Sequence, residues 1–597
     1  MTTHTTRMLA AAVLVLGLGA TAHAQVTVRE EALAIPTWEI GPPAVHPLFP
    51  APQGPIYPYT QNDTLTNRKV DKTYQAITLE NEYVRVLVLP EIGGRVHGAK
   101  DKTNGYTWLY WQPTIKPGLI SMTGAWISGG IEWNFPHGHR PSGFMPVDHR
   151  VVRNSDGSAT VWVGETEPVY RMRWIIGLTL FPGRSFLRCD YVFVNPTDQR
   201  NPFQFWATGA THANERSQAQ YPGDVMTGHG KEEFWHWPVD DGLDLSWWKN
   251  VANASSFFAW QSQDDWFGTF DHKAGGGTVH VADHRVMPGK KLWTWGSGPS
   301  GRIWEDILTE GGGAYYEPQA GAFSDNQPDY HWMEPGQVRT AHDYWYPVRD
   351  TRGFRKANED FALNVDVASG KAFAGVYATG AFDGVKVALV DTRSGKTLVD
   401  TTARVAPDRP FTAEVAAAAG LSLYDLALTV KDATGAERLA LAPKKPGDAA
   451  LPAPAPAPPD PAKATADELY AWGEWLDRFI RRPEALTYYR EALRRDPKDV
   501  RVNVEMGGIA LKETRWTDAL RHLDAALERD PSNGRTQFGR GQALAGLGRL
   551  DEAEEAFAKA SLGADQQAAA ELALARLTLR RSDTRAALEH LRTAGSR

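Results

Sequence analysis

WIIGLTLFPGRSFLRCDYVFV, residues 174–194, is the stretch that decides the fold class. Two runs, 174–181 and 186–194, are apolar or alternating and rich in β-branched and aromatic residues, and Pro182-Gly183 lies between them. Runs of this length bounded by turn residues predict β-strands. The same pattern recurs on both sides, in YVRVLVLP (83–90), ATVWVGE (159–165) and TVHVADHRV (278–286), with Gly, Pro, Asn and Asp between the runs. No helical pattern of about 12 residues or more interrupts residues 25–355, so this block predicts one large, mainly β sandwich.

Beyond it the composition changes. Residues 360–446 contain no Trp, and FALNVDV (361–367), VKVALVD (385–391) and LYDLALTVKD (423–432) alternate over lengths that predict a small Ig-like β-sandwich. Residues 447–463 form a Pro/Ala-rich linker whose core, LPAPAPAPPDPAK, predicts an extended polyproline-type spacer. From 464 to 597 the chain repeats itself. Ala485, Ala519, Ala553 and Ala587 stand 34 residues apart, and the same spacing relates Asp496-Pro497 to Asp530-Pro531, Gly507 to Gly541, and Trp516 to Leu550. Small residues where helices touch and Pro at the turn, at this period, predict an all-α domain of tetratricopeptide repeats. The spacer and the self-contained register predict that the repeats fold as a separate unit and add nothing to a ligand site in the sandwich.

With 597 residues, 42% of them hydrophobic and 23% charged, the chain can bury large cores, which excludes wholesale disorder. A net charge of −7 with no basic concentration argues against nucleic acid as a partner. The 22 Trp, 19 Tyr and 22 Phe are many, and 19 of the 22 Trp precede residue 346, so aromatic faces are expected at a ligand surface in the β part. The start, MTTHTTRMLAAAVLVLGLGATAHAQ, has a charge at Arg7, an apolar run too short to span a bilayer, and a small-x-small end at Ala22-His23-Ala24. It predicts a secretory signal over residues 1–24 and a periplasmic or secreted product with no membrane span after cleavage. Cys189 is the single cysteine, so no intrachain disulfide forms.

Three polar–aromatic clusters carry the candidate chemistry. GGIEWNFPHGHRPSGFMPVDHR (129–150) holds Glu132, His137, His139 and Arg140. A His-x-His pair suits zinc on a strand, but Pro136, Gly138 and Pro141 predict a loop, whose polar groups suit the hydroxyls of a sugar. With no cysteine set and no HExxH helix, no metal is assigned, and any ion is expected to be a hard cation such as calcium. In FQFWATGATHANERSQAQYP (203–222), His212 follows an apolar strand and is the ring able to act as acid or base near neutral pH. In GGGAYYEPQAGAFSDNQPDYHWMEPG (311–336), Glu317 ends a strand among Tyr315, Tyr316 and Trp332, with Gln319, Asp325 and Asn326 following. Partial desolvation raises a carboxylate's pKa, which makes Glu317 a general-base candidate. Flat rings with Asn, Gln, Arg and carboxylates suit carbohydrate better than nucleotide, for which no Gly-rich phosphate loop is present.

At these residues the sequence resembles a family. Gly94-Arg95-Val96, the loop at 137–139, His212, and Glu317-Pro318-Gln319 before Asp325-Asn326 occur in the order of the galactose mutarotase (aldose 1-epimerase) superfamily. GGIEWNFP (129–136), DHRVMPGKKLWTWG (283–296) and FSDNQPDYHWMEPG (323–336) are similar to a bacterial domain-of-unknown-function family often joined to tetratricopeptide repeats. The resemblance implies a β-supersandwich whose cleft binds sugar. It also implies His212 as general acid and Glu317 as general base, with Arg95 and His137 or His139 in support, although the context Thr211-His212-Ala213-Asn214 departs from the superfamily's pattern. The expected function is glycoside hydrolase-type chemistry on an oligosaccharide, with Glu317 and either Glu132 or His212 as the acid/base pair. The contacts expected to hold the sugar are Arg95, His137, His139, Arg140, Gln319, Asp325, Asn326 and Trp332. A non-catalytic glycan-binding scaffold whose repeats hold a protein partner, and mutarotation of a free sugar, are the alternatives.

Overall fold

The computed structural model describes residues 25–47, 56–447 and 450–595; the signal reading of 1–24 lies outside the described residues. Residues 173–194 form two adjacent antiparallel strands, Arg173–Leu180 and Leu187–Val194, with Leu180 facing Leu187 across the turn. They sit inside an eight-stranded sheet that packs face to face on a twelve-stranded sheet. Between the sheets lies one core, which includes Trp174, Ile176, Leu178, Leu187, Cys189, Tyr191 and Phe193 from the smaller sheet. The fold class is mainly β followed by α, as the patterning requires.

The alternation of the larger sheet positions the site. Ile131, Trp133 and Phe135, then Phe205 and Ala207, then Tyr316, Ala320 and Ala322, and Leu292, all point into the core. Because successive side chains leave a strand on opposite faces, the residues between them leave on the other face. Those residues are Glu132, Asn134, Trp206, Thr208, Glu317, Gln319, Lys291 and Trp293. Register brings them side by side: Thr208 pairs with Glu132 on one side and Gln319 on the other, Gln319 with Lys291, and Glu317 with Trp293.

Two four-stranded sheets spanning 356–441 close around Leu363, Val365, Val376, Val387, Leu389 and Leu428. This small sandwich docks on the large one through Phe186, Tyr346, Val348, Phe354 and Tyr377. Among the described residues eight helices follow in four antiparallel pairs, from Ala466–Arg478 and Arg482–Arg495 to Gln567–Arg580 and Thr584–Ala594. The 34-residue register has a packing cause. A Cβ on Gly507 would lie 2.8 Å from Leu523, and one on Gly541 would lie 2.6 Å from Phe557, so each first helix can approach its partner only as glycine. Ala485, Ala519, Ala553 and Ala587 are all buried at the matching place in the second helices.

The linker does not hold the repeats at a distance. Ala455 N donates to Lys231 O at 3.1 Å, and Tyr488 Oη donates to Pro459 O at 2.7 Å, so the Pro-rich segment lies against both neighbours. The repeats then fold back onto the sandwich, so the Pro-rich segment is not a spacer that keeps the two apart. Among the described residues no helix is long and apolar enough to cross a membrane.

Candidate functional site

Glu132 is the best-anchored polar group on the outward face of the large sheet. Its Oε2 accepts from Trp126 Nε1 at 3.0 Å and Asn134 Nδ2 at 3.2 Å and lies 2.8 Å from His139 Nδ1, while Oε1 is buried without a partner. Burial alone would raise its pKa, but the attraction of His139, that ring's hydrogen bond, Arg95 and the Trp126 N–H together outweigh burial and hold it at about 2. The same pairing works in reverse on His139. Burial disfavours the imidazolium, yet Glu132 and then Glu317 raise its pKa above the ordinary value, against a smaller opposing effect of Lys291. A carboxylate on Nδ1 fixes the ring's orientation and leaves Nε2 to face a ligand. The His139 side chain is 26% exposed against 3% for Glu132, so the ring is the part of the pair that solvent reaches.

Glu317 stands two pairs away on the same face. Its pKa is raised, chiefly by burial and also by Glu132, with His139, Lys291 and the 2.9 Å hydrogen bond from Gln319 Nε2 acting in the other direction. Lys291, also buried, is lowered to about 8 by desolvation despite the attraction of Glu317, and its Nζ donates to Gln327 Oε1 at 2.7 Å. Arg95 is buried beneath the cluster and donates to the carbonyls of Ile127 and Gly129. Aromatic rings form the rim. Trp293 and Trp295 are half-buried with centroids 5.1 Å apart, Trp304 stacks on Trp295 at 4.4 Å, and Trp295 Nε1 donates to Tyr315 Oη at 2.9 Å. Two neighbouring carboxylates of opposite pKa tendency, an imidazole whose pKa Glu132 raises and flat indoles beside them form a set of groups that can give and take protons.

The other sequence-derived residues fall elsewhere. His212 pairs across the sheet with Tyr315, but its ring meets Tyr110 at 4.6 Å and its Nε2 lies 2.9 Å from Thr107 Oγ1; burial lowers its pKa. His137 turns away from Glu132, with Nδ1 3.1 Å from Tyr330 Oη, and burial lowers it to about 3. Arg140 is buried over the Trp174 ring and pairs with Glu165 at 2.8 Å, and its backbone N–H donates to Asn134 Oδ1. Asp325 pairs with Lys231 at 3.0 Å, and Asn326 ties down the backbone of Gly228 and Gly230. Trp332 lies at the junction with the repeats, where its Nε1 donates to Glu474 Oε1 at 2.5 Å. Glu132, Glu317, His139, Gln319 and Arg95 therefore share one cluster, whereas His212, His137, Arg140, Asp325, Asn326 and Trp332 point into other contacts.

Sequence reading missed Lys291, Asn134, Thr208, Trp126 and the rim tryptophans. Strict alternation within GGIEWNFP and KKLWTWG, which puts Glu132 with Asn134 and Lys291 with Trp293 and Trp295, is the signal that finds Lys291, Asn134 and those two tryptophans. Among the described residues one grouping, Asp265, Asp283 and His284, has ligand atoms close enough to share an ion; it lies apart from Glu317, and His284 and Arg285 already pair with its carboxylates.

Fold and site together define a mainly β sandwich with a polar–aromatic face, joined through a second β-sandwich to a helical repeat array. Residues 52–348 match the family model described as domain of unknown function DUF5107, residues 356–441 that of the YphG-like protein, second domain, and residues 504–569 that of the tetratricopeptide repeat. The chain thus carries a DUF5107 domain, a YphG-like second domain and C-terminal tetratricopeptide repeats. A TPR-domain containing protein from Parabacteroides distasonis is similar over 95% of this chain and 91% of its own, at 20% identity and a TM-score of 0.51. A galactose mutarotase-like protein from Clostridium acetobutylicum is similar over 46% of this chain and 96% of its own, at 11% identity and a TM-score of 0.34. MamA from Desulfovibrio magneticus is similar over 22% of this chain and 75% of its own, at 24% identity and a TM-score of 0.21.

Proposed function

We propose that this is an exported carbohydrate-binding protein that performs acid/base chemistry at the anomeric carbon of an oligosaccharide, of the glycoside hydrolase type. The observation that carries the reading is the joint placement of Glu132, His139 and Glu317 on one sheet face beside the Trp293–Trp295–Trp304 rim. His139, held by Glu132 through Nδ1, gives the proton on Nε2 to the glycosidic oxygen as the C–O bond breaks. Glu317 takes a proton from the water that attacks the anomeric carbon. This replaces His212 by His139 as the imidazole of the pair, because His139 has a carboxylate on Nδ1, whereas the His212 ring meets the Thr107 hydroxyl. Gln319, Lys291 and Asn134 stand where sugar hydroxyls would be held. The signal-like start supports a periplasmic or secreted location, and the repeats support a protein-contact role.

The experiment is a glycan array on the full chain, followed by ¹H NMR of the anomeric signals of each bound glycan. New reducing-end signals are the expected result. Exchange of α and β signals without cleavage would replace hydrolysis by mutarotation, and binding with no anomeric change would leave a non-catalytic glycan binder.

A further inference from the structure

One side of the repeat array is already covered by the chain itself. The first helices of the four pairs face two segments of the large sandwich: 198–200, and 330–336, which contains the short strand His331–Met333. Glu474 accepts from Trp332 Nε1, and Gln542 donates to Asp198 O. Buried Glu505 pairs with Arg535 at 2.8 Å and with Arg200 at 3.2 Å. Arg200 lies over the Trp332 ring at 4.3 Å, with Lys512 5.4 Å from the ring centre. A Cβ on Gly336 would lie 3.8 Å from Leu572, so the last pair takes part too. The cavity left at this junction is about 60 Å³, room for a few waters and not for a peptide.

From this clamp a chain of contacts runs to the sugar site. Arg478, at the end of the first repeat helix, donates to Tyr330 O at 2.5 Å, and Phe479 packs edge-on against the Tyr330 ring at 5.8 Å. Tyr330 Oη lies 3.1 Å from His137 Nδ1, and the buried His137 ring is closed in by Tyr330 and Tyr170 at 5.6 and 5.4 Å. Two residues further along the same loop is His139, on Glu132.

We propose that the first repeat is a positioning element for the sugar site: by clamping the 330–336 segment it holds Tyr330 on His137, and so holds His139 on Glu132. Arg478 and Tyr330 are then positioning residues for the acid/base histidine. The proposal rests on the reading of His139 as that histidine, but its test needs no sugar, so the two can fail separately.

The groups facing His139 are Glu132, Glu317 and Lys291, with the Trp126 ring 5.0 Å away. Loosening that segment lengthens the His139–Glu132 contact, the closest of these, so the His139 pKa falls toward the ordinary value and the buried His137 rises from about 3. Hydrogen–deuterium exchange at the imidazole C2 position, followed by mass spectrometry on the full chain, reads each histidine's titration midpoint. In Arg478→Ala and in Tyr330→Phe the His139 midpoint is expected to drop by roughly half a pH unit or more and the His137 midpoint to rise, whereas Leu591→Ala, at the exposed far end of the array, leaves both unchanged. Should Arg478→Ala lose its cooperative melt, Tyr330→Phe decides, since it keeps the ring and removes only the hydroxyl. Unchanged midpoints for both histidines in a folded Tyr330→Phe chain would overturn the proposal.

Discussion

Glu132 and Glu317 are buried carboxylates on one sheet face, and they differ in what faces them. Glu132 meets an imidazole, an indole N–H and an amide N–H directly, whereas Glu317 takes a hydrogen bond from the Gln319 amide and feels His139 and Lys291 as nearby charges, against the repulsion of Glu132. Local donors, not burial, therefore decide which carboxylate stays ionised. The pairing has a pH signature. Glu132 is depressed in the folded state, so its contribution is present above its ordinary pKa of 4.5 and is lost as pH falls toward about 2. His139 is raised, so its contribution is complete below its ordinary 6.5 and is lost as pH rises through the folded value. Glu132→Gln is accordingly expected to destabilise the protein most between about pH 4.5 and 6.5, by about 1–3 kcal/mol, with a smaller cost once His139 has lost its proton. Urea unfolding of both chains across that range checks the sign. A cost that does not vary with pH would show that the pair is not ionised as described.

Elements show what a sequence can and cannot carry. The strands at 174–194 and the 34-residue helical register were legible because both are local periodicities, fixed by which residues face a core or a neighbouring helix. The site face is half legible. Glu132 and Glu317 stand out as charges within apolar strands, but their neighbourhood depends on register: Gln319 meets Lys291 across a strand pair that no local pattern specifies. A Lys-Lys pair ordinarily reads as solvated, and only the sheet reveals that both Lys290 and Lys291 are buried. Register also explains two glycines. A Cβ on Gly321 would lie 2.6 Å from the Trp206 ring, and one on Gly289 equally close to it, so the indole lies across a glycine floor on the site face. Gly321→Ala should tilt Trp206 and cost about 1–3 kcal/mol, the usual penalty of overpacking. Chemical denaturation followed by tryptophan fluorescence measures it, and an unchanged midpoint would mean that the floor yields freely.

At the scale of the whole molecule the sandwich and the repeats form one body through the Trp332 junction. No sequence signal marks that junction, because Trp332 and Glu474 lie 142 residues apart and a Trp among polar residues reads equally well as a sugar platform. Its energetics centre on Glu505, which takes Arg535 and Arg200 together. Glu505→Gln is expected to cost about 2–3 kcal/mol, less than breaking a fully buried pair because both arginines are partly solvated. Calorimetry should then show the repeats melting before the sandwich; a single unshifted transition would mean that the junction contributes little to cohesion. The central claim, that the intact chain does proton-transfer chemistry on a glycan, is tested most directly by comparing Glu317→Gln with the unaltered protein on a glycan taken from the array, measuring affinity and turnover on the same samples. Glutamine keeps the shape and can still hydrogen-bond a hydroxyl, but it cannot accept a proton. The predicted result is a fall in kcat of at least about 10²-fold with affinity changed by less than about 1.4 kcal/mol; full turnover by the Glu317→Gln chain would contradict the assignment and leave Glu132 as the carboxylate to test.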